Sequence, residues 1–200
     1  MQYKDQFVLN GNLNEIGEAI SENVADSHRA GIELAGAWKP CSMFRWDANV
    51  TFSQNQIKDY VAYLPNADWS KGIAQPARKH TTISFSPSVV ANNRFTFDYR
   101  GFTASLTSQY VGRQYLDNME VRENSLDAYF VSHLSAAYTF RLPSVKEVTI
   151  GATVYNLFNA KYETNGYSQS YVDGKGTVFH DPRFYPMAGT NFLVNVGLKF

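Results

Sequence analysis

The chain ends Asn191-Phe192-Leu193-Val194-Asn195-Val196-Gly197-Leu198-Lys199-Phe200. Phe192, Val194, Val196, Leu198 and Phe200 share one side of an extended backbone, and Leu193, Asn195, Gly197 and Lys199 the other. Side chains alternate across a strand with a period of two, so this stretch predicts a strand with one apolar face. The same period runs back through the sequence. Phe44, Trp46, Ala48, Val50 and Phe52 oppose Arg45, Asp47, Asn49 and Thr51. Phe102, Ala104, Leu106 and Tyr110 oppose Thr103, Ser105, Thr107 and Gln109. Phe130, Leu134, Ala136, Tyr138 and Phe140 oppose His133, Ser135, Thr139 and Arg141. Val148, Ile150, Ala152 and Val154 oppose Thr149, Gly151, Thr153 and Tyr155. Ile83, Phe85, Val89, Phe95, Phe97 and Tyr99 oppose Ser84, Ser86, Ser88, Arg94, Thr96 and Asp98, and Ile32, Leu34 and Trp38 oppose Arg29, Glu33 and Ala37. About eight strands follow: 2–9, 27–38, 43–60, 80–99, 102–116, 127–141, 147–162 and 190–200.

Alternation alone also suits a soluble antiparallel sheet packed on one face and wet on the other. Three features favour a membrane wall. Several runs reach the 9–11 or so residues that a tilted strand needs to cross a bilayer, against about 5–6 for ordinary strands. The polar faces hold Arg, Asp, Glu, Lys and Gln while the apolar faces hold almost no charge. A charge facing lipid at mid-bilayer costs about 2–4 kcal/mol. Aromatic residues also gather at strand ends, as interfacial girdles do. Trp38, Phe44, Trp46, Phe97, Tyr99, Phe102, Tyr138 and Phe140 mark one end; Tyr60, Tyr63, Tyr110, Tyr115, Tyr129, Phe158 and Tyr162 mark the other.

The composition agrees. In 200 residues, 18 Lys and Arg balance 18 Asp and Glu, for no net charge. Nucleic-acid binding is not expected, since it needs a basic surplus to offset phosphates. Charged residues make up 18% and aromatics 15%, fewer charges than the usual quarter or so. No apolar run reaches the 18 residues of a membrane-spanning helix. With a single cysteine, Cys41, no internal disulfide is available. Met1 is followed by no basic stretch and apolar run of the kind a secretory leader has; the opening reads as a strand entered midway, which predicts that the chain is part of a longer one.

Connections alternate in length. Those after residues 38, 99 and 141 are short, and those at 10–26, 61–79, 117–126 and 163–189 are longer. Outer-membrane barrels have short periplasmic turns and long external loops, so the first strand runs outward and the eighth ends at Phe200 in the periplasm.

The most specific residues lie near the C-terminal end. Val154-Tyr155-Asn156-Leu157-Phe158-Asn159-Ala160-Lys161-Tyr162 contains N-L-F-N-x-x-Y, and Tyr185-Pro186-Met187-Ala188-Gly189-Thr190-Asn191-Phe192 reads Y-P-x-x-G-x-N-F. Upstream, Tyr110-Val111-Gly112-Arg113-Gln114-Tyr115 reads Y-V-G-x-x-Y, and Arg29 to Leu34 reads x-x-G-x-E-L. The chain resembles the C-terminal end of a TonB-dependent outer-membrane receptor over essentially its whole length. The resemblance implies an all-β fold: an antiparallel transmembrane β-barrel segment of about eight strands, the last strands of a 22-stranded barrel, with the plug absent. It implies uptake of a scarce large nutrient such as an iron-siderophore, haem, cobalamin or an oligosaccharide. The implied partners are outer-membrane lipid, the remaining barrel and plug, the TonB-ExbB-ExbD complex acting through the plug, and the barrel assembly machinery. The row Phe192, Val194, Val196, Leu198, Phe200 resembles the signal that this machinery reads.

No enzyme, cofactor or metal site is expected. His28, His80, His133 and His180 lack ligand spacing, and no nucleophile elbow, P-loop or dinucleotide fingerprint occurs. Gly174-Lys175-Gly176 is too short to cradle phosphate. Ligand contact falls to the long loops: Tyr63 and Trp69, with Arg78, in 61–79, and Tyr167 and Tyr171, with Phe179, Arg183 and Tyr185, in 163–189. The alternatives are a stand-alone eight-stranded barrel, structural or adhesive, in which strand 2–9 would pair with strand 190–200, and a soluble β-sandwich.

Overall fold

The computed structural model describes residues 1–14 and 16–200; residue 15, inside the expected loop 10–26, lies outside them. Eight strands form one antiparallel meander: β1 (Gln2–Leu13), β2 (Ala19–Cys41), β3 (Phe44–Tyr60), β4 (Val89–Tyr99), β5 (Phe102–Val111), β6 (Tyr129–Leu142), β7 (Val145–Tyr155) and β8 (Asn191–Lys199). A further short strand, Arg78–Thr82, pairs with β3 beside β4. Among the described residues no helix is long and apolar enough to cross a membrane.

The register aligns the alternating faces across the sheet. Trp38, Trp46, Phe95, Leu106, Leu134, Val154 and Phe192 stand opposite one another in turn, one from each of β2 to β8. Slipping any strand by one residue would turn its charged face into this row. The adjacent polar row runs Asp47, Arg94, Thr107, His133. Polar-face neighbours bond directly: Ser105 with Ser135 at 2.8 Å, Thr139 with Thr149 at 2.9 Å, and Asn92 Nδ2 donates to Asn49 Oδ1 at 3.1 Å. The apolar face is uncovered. Trp38 is 60% exposed, Leu34 59% and Val196 64%. Such a continuous apolar surface far exceeds what a water-soluble monomer tolerates. At the short-turn end Trp46 stacks on Phe95 (5.9 Å), and Phe97 packs on Phe102 (6.3 Å) and Tyr99, forming the expected girdle.

The turns explain the polarity. Arg100 and Gly101 both have positive φ, the two-residue turn that matches strand twist. Ser42-Met43 and Pro143-Ser144 link the other two short hairpins.

The structure differs from the expected strands mainly at the long-loop end. Stretch 80–99 is not one strand: Pro87 lacks an amide donor, Phe85 has φ 51°, and the chain breaks between Thr82 and Val89. Ile83 therefore leaves the outward face and is buried. Stretch 102–116 leaves the wall at Val111; Gln114–Tyr115 pairs instead with Ser125–Leu126. Stretch 147–162 ends at Tyr155. Conversely, much of loop 10–26 is strand, because Phe7 to Leu9 and Leu13 pair with Asn23 to Ser21 and Ala19. Loop 163–189 is a hairpin, Glu163–Val172 with Val178–Pro186, closed where Asp173 Oδ1 accepts from the amides of Lys175 and Thr177. Tyr60 is not part of a girdle but is buried. β1 and β8 lie at opposite edges of the sheet, so the pairing that a closed eight-stranded barrel requires is not made.

Candidate functional site at the outer loops

β2 has 23 residues, roughly 75 Å of strand at about 3.3 Å per residue. That is longer than a tilted strand needs for a hydrocarbon layer of about 30 Å, so its upper half stands above the wall. There the upper β1–β2 hairpin, residues 61–83, residues 112–126 and the hairpin 163–186 pack together. Val8, Val24, Ile57, Tyr60, Leu64, Ile83, Met119 and Val172 form their shared core. The small hairpin Tyr63–Pro65 with Gly72–Ala74 docks by a parallel bridge from Asn66 to Val172.

Polar groups pin this cap from within. Asn118 Nδ2 donates to the Leu9 carbonyl (2.9 Å), and its Oδ1 accepts from the Ser84 amide (2.9 Å). Asp117 accepts from the Met119 amide (2.9 Å) and from Asn124 Nδ2 (2.7 Å). Asn124 also approaches His180 Nδ1 at 3.0 Å and donates to Ser170 Oγ at 3.1 Å. Burial pushes the Asp117 carboxyl above the usual carboxylate range, and its hydrogen bonds with Met119 and Asn124 and the nearby His180 and Arg78 oppose that rise.

A second lock joins the two C-terminal motifs. Asn156 and Asn159 both adopt positive φ. The Asn156 carboxamide accepts from the Ala160 amide (2.8 Å) and donates to the carbonyls of Ala160 (2.8 Å) and Ala188 (3.1 Å). Thr190 Oγ1 donates to the Asn156 carbonyl (2.7 Å) and the Thr190 amide donates to Asn159 Oδ1 (3.1 Å). His133 Nδ1 accepts from the Asn156 amide (3.0 Å). The asparagines of N-L-F-N thus hold the chain entering β8.

The expected ligand-contact residues do not converge. Trp69, 60% exposed, sits in the turn of the small hairpin, and Tyr63, 66% exposed, sits at the hairpin's other end, opposite Ala74, beside Asn10, Glu22 and Ser170. Tyr171 stacks on Phe179 across its hairpin at 5.4 Å. Tyr167 lies beside Tyr185 at 6.2 Å and lines a cavity of about 260 Å³ with Phe85, Asn12 and Asn165. Sequence reasoning missed Phe85, placed on a strand face by parity, and the two asparagines; only the Pro87 break hinted at the first. A separate cavity of about 220 Å³ is lined by Tyr60, Leu64, Arg78, Met119 and His180. Phe192, Val194, Val196, Leu198 and Phe200 stand on the outward face at the free β8 edge, all exposed. No cluster of three potential metal ligands occurs among the described residues.

An open meander with an uncovered apolar face, a polar inner face and a loop cap at one end defines a segment of transmembrane β-barrel wall. The family model for the TonB dependent receptor-like β-barrel matches residues 1–157, and the chain belongs to that family. No curated protein matches by sequence. Among solved structures, the siderophore receptor PiuA from Acinetobacter baumannii is similar with a TM-score of 0.66 and 14% identity, covering 98% of this chain and 24% of that one. The ferric yersiniabactin uptake receptor FyuA from Yersinia pestis gives 0.57 and 18%, covering 88% and 24%. The copper transporter OprC gives 0.60 and 18%, covering 98% and 27%. At these identities the likeness speaks to fold. The chain spans about a quarter of the length of these proteins.

Proposed function

We propose that this chain is the C-terminal wall and part of the external mouth of an outer-membrane transport receptor that takes up a scarce large nutrient under TonB drive. The apolar row crossing seven strands carries the reading, because only a lipid surface matches a face of that extent and lack of charge. The polar inner face would line the lumen, and the loop cap would supply part of the external binding surface. The missing share of the wall and a plug complete the receptor in this reading, and TonB, ExbB and ExbD act through the plug. The row Phe192 to Phe200 serves the barrel assembly machinery. PiuA is described as a siderophore receptor, FyuA as a ferric yersiniabactin uptake receptor and OprC as a copper transporter, which supports a transport role. No covalent chemistry is assigned.

The test is energised uptake. Cells lacking the gene, and cells carrying it without TonB, should both fail to accumulate the nutrient, and a protonophore should abolish accumulation in the parent. Uptake unaffected by the gene's loss, or the protein fractionating entirely into the soluble phase, would contradict the proposal.

A further inference from the structure

The cavity between the tip of the β1–β2 hairpin and the hairpin 163–186 has an unusual lining. It holds three aromatic rings, Phe85, Tyr167 and Tyr185, and two carboxamides, Asn12 and Asn165. None of its described lining residues is charged. Tyr167 lies beside Tyr185 on one face of the hairpin, ring centroids 6.2 Å apart and planes tilted by 45°, and Tyr185 is 53% exposed. Asn165 Oδ1 accepts from the Gly166 amide at 2.8 Å, and among the described residues its Nδ2 has no partner. The Asn12 backbone amide donates to Asn10 Oδ1 at 3.0 Å, and Asn12 lines the cavity together with Tyr167 and Tyr185.

The walls are built, not incidental. Phe85 is held at φ 51°, a costly conformation for a bulky residue. Its amide donates to the Tyr115 carbonyl at 2.9 Å, between buried Ser84 and Ser86. At Gly166 a Cβ would sit 2.5 Å from the Arg183 carbonyl, so only glycine lets the backbone form this wall.

We infer that this cavity is a subsite for a neutral sugar ring. The inference rests on the outward placement of the loop cap in the proposed function. A pyranose offers C–H groups polarised by neighbouring oxygens, which pack on the negative face of an aromatic ring. It also offers hydroxyls that both give and take hydrogen bonds, which carboxamides and phenols match in both roles. No cation is among the described lining residues, and the nearby Arg183, opposite Tyr167 in the hairpin, is paired with Asp181 at 2.8 Å, whereas the separate cavity lined by Tyr60 and Met119 carries Arg78 and His180. The volume of about 260 Å³ falls just below the range of about 300–1,000 Å³ of drug-sized sites, which suits one ring of a longer chain. The source is a free oligosaccharide or the sugar of a surface glycolipid.

The intact receptor, purified from outer membranes in an amine-oxide rather than a maltoside detergent, is tested by saturation-transfer NMR. The probes are maltotriose, xylotriose, mannotriose and triacetylchitotriose, with a ferric catecholate and a ferric hydroxamate as the rival class. At least one neutral sugar should bind. Tyr167→Ala and Tyr185→Ala should each weaken it by about tenfold or more, as loss of a ring contact at the centre of a site does. Tyr167→Phe, which keeps the ring, should bind within a few-fold of the parent, and an unchanged temperature for the gel-migration shift of the two Ala variants shows that they fold. Sugar affinity indifferent to these changes, no sugar binding, or binding of the ferric chelates alone with sensitivity to Arg78→Gln would overturn the inference. Lipopolysaccharide with and without its polysaccharide chain, run beside the free sugars, identifies the source. Sugar binding without energised uptake would contradict the transport reading and leave the site standing. TonB-driven uptake of a ferric chelate with no sugar binding would do the reverse.

Discussion

Two asparagines at positive φ do most to explain why the C-terminal motifs have their spelling. Asn156 and Asn159 tolerate the left-handed conformation better than bulkier residues, and their carboxamides bond the chain that enters β8. Asn156→Ala loses three hydrogen bonds in a site that is 2% exposed. It should destabilise the folded form by about 1–3 kcal/mol and slow assembly, read as a fall in the temperature at which gel migration changes. Asn195→Ala, on the exposed edge strand, should not. Asp117 makes a second prediction. Its carboxyl is held above its unfolded value by burial, so the folded cap binds more protons than the unfolded chain in between. Its contribution is fully present below the unfolded value of about 3.9 and is lost as pH rises through the folded value. Hydrogen exchange at the Met119 and Asn124 amides should therefore reveal a cap that opens more readily as pH rises through that window, and Asp117→Asn should flatten the dependence. The motif asparagines were visible in the sequence. Their φ values and the reach from Asn156 to Ala188 were not, because 32 residues separate the partners.

Strand parity was legible because it is local. Each of β3, β5, β6, β7 and β8 shows its two faces within about ten residues, and bilayer physics demands that separation. What sequence could not show is where strands stop. Phe85 continues the parity of Ile83 and Phe95, yet Pro87 and the positive φ at Phe85 end that pairing. Likewise Tyr167, Gln169 and Tyr171 alternate with Ser168 and Ser170, a weak pattern without an apolar face, and they pair as a hairpin above the wall. The ligand-contact residues suffered most from this, since their convergence depends on how four loops pack. The parity has a sharp consequence. Leu106→Arg and Ala136→Arg place a charge on the outward face and should each cost about 2–4 kcal/mol near mid-bilayer, with loss of assembled protein in the outer membrane. Thr107→Arg and Ser135→Arg, one residue away on the polar face, should leave assembled levels close to the parent's.

At the scale of the whole molecule, one surface faces lipid and the other faces water, and the two edges β1 and β8 are unpaired. Open edges invite further strands, which fits a wall continued by the rest of a barrel and makes the few-charge, aromatic-rich composition intelligible. The resemblance in the motifs and the match over residues 1–157 agree on this family, while nutrient identity depends on the cap. The most direct test is a nitroxide scan along β5 and β6 in the membrane-embedded receptor with Cys41→Ser as background. Positions 102, 104, 106, 134, 136 and 138 should be reached by oxygen dissolved in the bilayer, and 103, 105, 107, 133, 135 and 137 by a water-soluble nickel chelate, with a strict period of two. Equal accessibility on both faces, or a water-soluble reagent reaching the even positions, would contradict the membrane wall.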